Sequence, residues 1–512
     1  MPSPSRGPRR GPTQPQKKPQ NPAVNRAIEL LQAGNVEASA AIIDPMLKKG
    51  RKDASVIRAK GLIEMKRGRY TEAEEYLNRA RDLDPGHPMI SVDQAMIHQL
   101  RGRYDKMVEA ARNAYRVSPG RSQTHMLLAD ALIVANRSDE AYDFIRELGK
   151  GKSLEPMLAD PLTKVLDLQG RYEEALDVFA QVGDAKGLLP IMRKRMNLRR
   201  GRILEKLGDH DGAMEAFETG YAQLNLSFDP DAFDRRVDDI LAALREANFA
   251  EPETDAASTL LPVMIVSMPR SGTSLLERIM AAHPLVNGIG EESVISETIR
   301  EYRDRLGKET IRDMPSTDPV ILEGLRTACL ARIRQLSGDS ERTVSKHLQN
   351  WSYLPVIAAW YPKAHVVRIT RDPAATGISI YSQDLPAQRM PWVGRLDWIG
   401  RMIASERRFV AAARELVPNP WFEVVYEDLI DDPESRIPPI IESIGMEFDP
   451  VCLSPHKAES TGKGGDGGKQ FRPTLSLHQV RKPISKGSVD RAAVWGDRLV
   501  DLQRGLEEGG CS

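Results

Sequence analysis

The sequence predicts an α-helical repeat superhelix followed by an α/β domain with a central parallel sheet and a P-loop-like phosphate loop. Three observations support this fold class. Glycine or asparagine recurs every 34 residues through the first 170 positions, which is the spacing of a two-helix repeat. A short apolar segment at 263–266 leads into a small, hydroxyl-rich turn and then a helical pattern. A second apolar segment at 364–369 ends in a polar turn and another helix.

The start of the chain and its composition exclude several classes of protein. Residues 1–21 are rich in Pro, Arg, Lys and Gln without an apolar stretch, so we predict a disordered tail and no secretory signal. The 72 basic and 72 acidic residues give no overall attraction to nucleic acid or a membrane surface. No apolar run reaches the roughly 18 residues of a membrane span. Cys329, Cys452 and Cys511 are too scattered for a disulfide framework or a metal site, which favours a reducing, cytoplasmic compartment.

Residues 22–220 are predicted to form the repeat array. Each turn needs a residue that tolerates a left-handed backbone, and alanine follows five residues later where two helices cross closely. The pattern resembles the tetratricopeptide repeat, whose arrays present a concave face to a peptide or partner protein. We expect such a protein or peptide partner; a purely structural arm is the alternative. The turn residues are Gly34, Gly68, Gly102, Asn136, Gly170 and Gly208, and the alanines are Ala73, Ala141, Ala175 and Ala213.

A connecting segment at 221–259 precedes the α/β domain, which we place at 260–505. The connector is predicted to be a helix over 228–248 with one apolar face, followed by a polar hinge at 251–259.

The turn after the first predicted strand has the composition of a phosphate cradle. The following helix would present unpaired N–H groups and the positive end of its dipole to an anion. Arg270 adds a permanent cation, and Gly272 lets the backbone approach a phosphate closely. The hydroxyl donors of the cradle are Ser271, Thr273 and Ser274.

This loop departs from the P-loop of nucleoside triphosphatases. That motif would need Gly at 267 and Lys at 273, where the chain has Ser267 and Thr273. Without the lysine, the usual contact with the β- and γ-phosphates is missing. The cradle suits a nucleotide that has a 5′-phosphate and a different transferred group, although the motif alone is equally compatible with a generic phosphate loop.

A second anion site is predicted after the second apolar segment. Arg371 and Ser379 lie eight residues apart across a turn, so both could reach one further phosphate. The alternative is that Asp372-Pro373 simply begins a helix beside a surface arginine.

Two more polar pairs follow predicted strands. Lys346 and Asn350 lie at the end of a probable strand, and Glu291 and Glu292 follow the first helix of the domain. Because α/β sheets bind ligands at the carboxyl ends of their strands, we expect both pairs to face the cradle. Adjacent acids in a solvated turn are the alternative for the two glutamates.

Together these segments resemble the sulfotransferase superfamily, and within it the tyrosylprotein and tetratricopeptide-linked bacterial sulfotransferases. The resemblance covers about 260–500 and runs through several motifs in order. Ser345 and Leu348 stand where that family often has Asp and Pro, and Trp does not directly follow Arg491. The matching motifs are Pro269–Leu275, Ala282–Pro284 with Gly290–Glu292, Lys346 with Asn350, Arg371–Pro373 with Ser379, Tyr426–Leu429, and Ser476 with Gln479–Pro483.

The resemblance implies 3′-phosphoadenylyl sulfate as donor and a hydroxyl-bearing acceptor, with protein tyrosine among the candidates. Lys346 would neutralise charge on the leaving phosphate, and Arg270 would assist it. Glu292, or Glu291 as in repeat-linked relatives, would take the acceptor proton. The implied donor-binding residues are Arg270, Ser271, Gly272, Thr273 and Ser274 at the 5′ end, Arg371 and Ser379 at the 3′-phosphate, and additionally Ser476, Lys486 and Arg491.

The residue types agree with sulfuryl transfer, an in-line displacement in which a base takes a proton and cations absorb leaving-group charge. The sulfuryl group carries less charge than a phosphoryl group, so no metal is expected. Two alternatives stay open. An ATP-dependent kinase or NTPase would need Lys at 273 and an acidic strand end for Mg²⁺. A catalytically degenerate repeat scaffold that binds nucleotide would not need to keep all these anion-site residues.

Overall fold

The structure is a computed structural model, and it is described here at 21–48, 53–150, 154–182, 188–247, 249, 261–306, 318–338, 340–456 and 490–510. It divides into two compact units, residues 1–150 and 151–512. Within the described parts of the chain, no helix is both long enough and apolar enough to cross a membrane.

The first unit consists of antiparallel helix pairs. Each pair is joined by a tight turn, and consecutive helices pack side by side along the chain. The helices are α1 (Pro22–Gln32), α2 (Val36–Lys48), α3 (Ala54–Lys66), α4 (Tyr70–Leu83), α5 (Pro88–Leu100), α6 (Tyr104–Val117), α7 (Ser122–Val134) and α8 (Ser138–Leu148).

The turn chemistry predicted for the repeats is confirmed. Every predicted turn residue has a positive φ, including Asn136 at 60°, which a non-glycine residue rarely adopts. The turn at Gly68 shows why: Arg69 N–H donates to the carbonyl oxygen of Glu64 at 2.9 Å, which ends α3 with a left-handed residue. The alanines that follow the turns are fully buried between the crossing helices; they are Ala73, Ala141, Ala175 and Ala213.

The second unit begins with five more helices, and the last three of them contribute buried residues to the core of the α/β domain. Tyr221 stacks on Tyr381 with ring centroids 5.1 Å apart, and Phe217 lies 6.0 Å from Trp495. The second compact unit begins at residue 151. The domain boundaries predicted at residues 220 and 260 stay predictions. The five helices are α9 (Pro156–Leu168), α10 (Tyr172–Val182), α11 (Pro190–Lys206), α12 (His210–Ala222) and α13 (Pro230–Glu246).

A five-stranded sheet forms the centre of the α/β domain. All neighbouring strands are parallel, in the order β2-β3-β1-β4-β5. Side chains alternate along β1, so that Val263 and Ile265 enter one apolar cluster while Met264 and Val266 enter two others. The strands are β1 (Leu261–Val266), β2 (Val286–Gly290), β3 (Arg342–Ser345), β4 (His365–Thr370) and β5 (Trp421–Val425).

The helices of the α/β domain place polar turns at one edge of the sheet. Because the strands are parallel, their carboxyl ends meet at the same edge, and central β1 lies between β3 and β4. Turns at this edge lead from β1, β4 and β5 directly into helices. The helices are α14 (Thr273–Ala282), α15 (Val294–Leu306), α16 (Pro319–Ser337), α17 (Leu354–Trp360), α18 (Pro373–Tyr381), α19 (Leu396–Arg414), α20 (Tyr426–Asp431), α21 (Pro433–Ser443) and α22 (Val500–Glu508).

The close crossing of α11 and α12 provides a stability test. A Cβ at Gly201 would lie 2.3 Å from Cε1 of Phe217 and 2.9 Å from the carbonyl oxygen of Ala213. We expect Gly201→Ala to lower the free energy of unfolding by about 1–3 kcal/mol, because the packed helices must separate. Urea unfolding would measure the loss.

A matched control is Gly324→Ala in the exposed part of α16, where a Cβ meets no atom within 4 Å. That substitution should stabilise the protein by about 0.5–1 kcal/mol, since alanine favours the helix. Equal changes at the two glycines would contradict the packing explanation.

Candidate active site

The loop between β1 and α14 is shaped by two residues with left-handed backbone. Arg270 has φ 69° and Gly272, the N-cap of α14, has φ 100°. A Cβ at position 272 would lie 2.4 Å from the Tyr426 ring, so the site needs glycine for space as well as for conformation. Left-handed residues within such a turn make a concave run of N–H groups that suits an anion. The backbone of this loop is therefore compatible with the predicted cradle, which stays a prediction.

The ends of β1 and β4 are joined directly by their arginines. Nε of Arg270 donates to Oγ of Ser379 at 3.2 Å, and Nη1 of Arg371 donates to the carbonyl oxygen of Arg270 at 3.0 Å. Burial lowers the pKa of Arg270 to about 10, and the nearby guanidinium groups of Arg491, Arg371 and Arg202 act in the same direction. Arg270 stays charged at neutral pH, in surroundings that favour a bound anion.

Tyr426 supports this arrangement from β5. It is the first residue of α20, and its ring lies 4.9 Å from the guanidinium carbon of Arg371, in a cation–π contact. Burial lowers the pKa of Arg371, while electrostatic interactions with Tyr426 and Glu427 oppose that effect. Tyr426, directly after β5, therefore helps to hold Arg371, the second arginine predicted to bind a phosphate.

Lys346 lies at the same edge, beside the first of the two adjacent glutamates. Its Nζ is 2.8 Å from Oε1 of Glu291; the lysine side chain is 1% exposed and that of Glu291 is 41% exposed. The backbone N–H of Lys346 also donates to the carbonyl oxygen of Gly290, which ties β3 to β2. Glu292 is half-buried and precedes α15. A buried ammonium and a carboxylate thus meet at the ends of β2 and β3.

Glu277 is a site residue that the sequence analysis missed. This buried residue of α14 accepts the N–H of Gly290 on Oε1 at 2.6 Å, and it fills the space where a Cβ at Gly288 would be. Burial raises the pKa of Glu277, and the charge of Lys346 opposes the rise. Glu277 positions the turn that carries the adjacent glutamates. Its position off the predicted apolar face of α14 gave no signal in the sequence.

Asn350 has a bridging role in the structure. Its Nδ2 donates to the carbonyl oxygens of Ile265 and Ser345, each at 3.1 Å. The residue is buried and therefore holds the carboxyl ends of β1 and β3 together. It begins a short 3-10 helix after the end of β3, and its amide donors are directed at the sheet backbone.

The remaining residues that were predicted to bind the donor lie in different places. Ser271 and Thr273 are buried in the cradle and Ser274 is half-buried, whereas Ser476 and Lys486 lie outside the described residues. Arg491 donates to Oγ of Ser382 at 2.9 Å and forms two bonds to the carboxylate of Glu205. Arg491 thus reaches the helix that carries Ser379.

The arrangement forms a candidate anion-binding site at the carboxyl edge of a parallel α/β sheet. Cationic residues follow β1, β3 and β4, helix α14 begins after β1, and Glu291 lies beside the lysine that follows β3. Among the described residues, no group of three or more His, Cys, Asp or Glu side chains is arranged to hold a metal ion. The donor set suits a ligand with more than one acidic group.

Comparison with known proteins agrees with this class. Residues 262–450 match the sulfotransferase family model, and 24–88 and 195–221 match tetratricopeptide repeat models. The chain therefore combines tetratricopeptide repeats with a sulfotransferase-family domain, as the sequence motifs indicated.

Individual relatives cover only part of the chain. An uncharacterized protein of Aquifex aeolicus is 27% identical over 48% of this chain and 32% of its own length. Protein-tyrosine sulfotransferase 1 of Danio rerio is 24% identical over 48% of this chain and 68% of its own. The chain thus spans about a third of the Aquifex relative. The sulfotransferase domain of the Synechococcus PCC 7002 olefin synthase is 18% identical, with a TM-score of 0.34 over 51% of this chain and 98% of that domain.

The contact between Glu277 and the Gly290 turn provides a test of the positioning role. Glu277→Ala should lower the free energy of unfolding by about 1–3 kcal/mol, because it leaves the buried N–H of Gly290 without its acceptor. Glu277→Gln keeps an oxygen of the same reach and should lose clearly less. Urea unfolding of the two variants separates these effects, and equal losses would contradict the hydrogen-bond explanation.

Proposed function

We propose that this protein transfers a sulfuryl group from 3′-phosphoadenylyl sulfate to a hydroxyl acceptor. The observation that carries the proposal is the direct contact of Arg270 with Ser379 and Arg371, which collects cations from two strand ends beside the cradle. A nucleotide with phosphate on both its 3′ and 5′ oxygens matches that charge. The sulfotransferase-family domain supports the reaction class.

In this proposal the cradle holds the 5′ end of the donor, and the second arginine holds its 3′-phosphate. The loop N–H groups with Ser271, Thr273 and Ser274 would bind the 5′-phosphosulfate. Arg371 and Ser379 would bind the 3′-phosphate. Thr273, the first residue of α14, stands where a kinase-type loop would need lysine, which disfavours a triphosphate.

The reaction breaks one bond to sulfur and forms another. The acceptor oxygen attacks sulfur, the bond from sulfur to the phosphate oxygen breaks, and adenosine 3′,5′-bisphosphate leaves. Lys346 would neutralise the charge that develops on that phosphate oxygen. Because Lys346 is buried and held by Glu291, its charge is in place before reaction, which is the arrangement that stabilises a transition state.

We assign the acceptor proton to Glu292, with Glu291 as the alternative. The contact that supports this choice is the hydrogen bond from the lysine ammonium to Glu291, because it leaves that carboxylate engaged with Lys346. Glu292, one residue further along, would then receive the proton.

For the acceptor, we propose a hydroxyl of a protein or peptide that the repeat array at 22–220 recruits. Tetratricopeptide repeats generally mediate protein contacts, and two relatives carry the name protein-tyrosine sulfotransferase. A tyrosine phenol is therefore the acceptor that we test first. The buried thiols of Cys329 and Cys452 fit the reducing, cytoplasmic compartment that the sequence favours.

The donor class is testable by binding. Adenosine 3′,5′-bisphosphate should raise the melting temperature more than ATP with Mg²⁺, because it matches two anion sites. Arg270→Ala and Arg371→Ala should each raise its Kd by at least about tenfold in calorimetry, since a charge-assisted hydrogen bond contributes about 1.5–3 kcal/mol.

Arg414→Ala is a control, because this exposed residue at the end of α19 pairs with the exposed Glu423. Preferential stabilisation by ATP with Mg²⁺ would favour the kinase or NTPase alternative. Binding of both ligands without sulfuryl transfer would favour the degenerate scaffold.

The base is testable with two neighbouring substitutions. Glu292→Gln should abolish sulfuryl transfer to a tyrosine peptide, measured by mass spectrometry, and leave bisphosphate binding unchanged. Glu291→Gln should slow transfer without abolishing it, because Lys346 loses its partner but the base remains. An active Glu292→Gln variant beside an inactive Glu291→Gln variant would move the base to Glu291.

A further inference from the structure

The last repeat presents a basic helix to the α/β domain. Residues 195–221 match a tetratricopeptide repeat model, and their first helix, α11, contacts the segment that follows α18. Nζ of Lys194 lies 2.7 Å from both the carbonyl oxygen of Leu385 and a carboxylate oxygen of Asp384. Nη1 of Arg202 donates to the carbonyl oxygen of Ser382 at 2.6 Å. This repeat therefore packs directly against the α/β domain.

Arg202 differs from the other cations on that side of α11. Lys194 and Arg195 pair with Asp384, and Arg199 pairs with Asp160 at 2.6 Å. In the part of the chain that the structure describes, no carboxylate oxygen lies within 4 Å of the Arg202 guanidinium. Within the same described residues, its one hydrogen bond is the bond from Nη1 to the carbonyl oxygen of Ser382.

Arg202 lies close to the proposed 3′-phosphate site. Ser382 follows Ser379 by three residues, which is about 4.5 Å along a helix. Arg491 donates to the Ser382 hydroxyl, and Arg270 donates to the Ser379 hydroxyl. Guanidinium groups from α11, from the β1 loop and from the segment before α22 therefore gather at one end of α18.

The charge environment of Arg202 favours a bound anion. Burial lowers the pKa of Arg202 to about 10; Arg199 and Arg491 lower it further, and Asp167 and Asp384 oppose them. Asp167 and Asp384 are already paired with lysines, namely Lys206 and Lys194. Crowding like charges in a poorly solvated place is unfavourable unless an anion compensates them.

Capping of α18 is the simpler explanation of the contact. A cation at the carbonyl end of a helix is favourable by roughly 0.3–1 kcal/mol. Capping alone does not explain why Arg491 reaches the same residue, where it is held by the two hydrogen bonds that it donates to Glu205 on α11. Two arginines thus converge on Ser382, and α11 places both of them.

We propose that Arg202 binds the phosphate that Arg371 and Ser379 also hold, so that the last tetratricopeptide repeat forms one wall of the donor site. Glu205 positions Arg491 on the same wall. The inference rests on the proposed donor, and it assigns the 3′-phosphate a ligand from outside the α/β domain.

The test uses the full chain with Arg202→Gln, Arg202→Lys and the control Arg200→Gln. Gln keeps a donor for the Ser382 carbonyl oxygen but removes the charge, and Arg200 lies exposed on the same helix. Calorimetry compares adenosine 3′,5′-bisphosphate with adenosine 5′-phosphate. We expect Arg202→Gln to weaken bisphosphate binding at least tenfold, Arg202→Lys to weaken it less, and neither to change binding of the 5′-phosphate. Arg200→Gln should bind both ligands like the wild type.

Each other result has a defined meaning. Wild-type affinity of Arg202→Gln with a lower melting temperature would reduce Arg202 to a helix cap and overturn the inference. Equal weakening of both nucleotides would also overturn it, since the contact would not be with the 3′-phosphate. If the wild-type protein binds neither nucleotide, the proposed donor itself fails, and the inference fails with it.

Discussion

The hydrogen bond from Arg371 to the carbonyl oxygen of Arg270 is the contact on which the candidate site depends. It joins the loop after β1 to the turn after β4, and the hydroxyl of Ser267 adds a second link by donating to the carbonyl oxygen of Ile369 at 2.6 Å. With these ends fixed, α14 directs its N-terminus and α18 its serine toward the same space. Tyr426 closes the third side against Gly272, which leaves no room for a side chain there.

Opposite charges organise the other part of the candidate site, at the ends of β2 and β3. Lys346 is buried, and an unpaired buried ammonium would be strongly destabilising. Glu291 supplies the direct contact, and the deeper Glu277 supplies a longer-range one while it holds the turn between them. The same packing that makes the lysine tolerable also keeps it in one position, so the stability of this region and its proposed chemistry have a common cause.

Local features could be predicted from the sequence because they depend on local physics. A left-handed turn favours glycine or asparagine. A strand, a polar turn and a helix that follow one another can be recognised within a short stretch of sequence. Asn136 and Gly272 are examples, and the structure gives both a positive φ. Glu277 and Arg202 could not be predicted in this way. Their importance comes from Gly290 and Ser382, partners 13 and 180 residues away.

The extent of the second compact unit was hidden for the same reason. The apolar pattern of α12 is that of any repeat helix, and only packing shows that Phe217 and Tyr221 meet Trp495 and Tyr381. The sequence periodicity describes how each helix pair folds, and it carries no information about which surface the final pair covers.

The shared core of α12 and the α/β domain bears on how such a chain can diversify. Repeats that take no part in the aromatic cluster of Phe217, Tyr221, Tyr381 and Trp495 could be gained or lost without disturbing that cluster. The repeat that contains α11 and α12 could not be lost in this way, because its removal would expose the aromatic cluster to water. Variation in repeat number among homologous chains should therefore spare this final repeat, which we expect to be inherited together with the α/β domain.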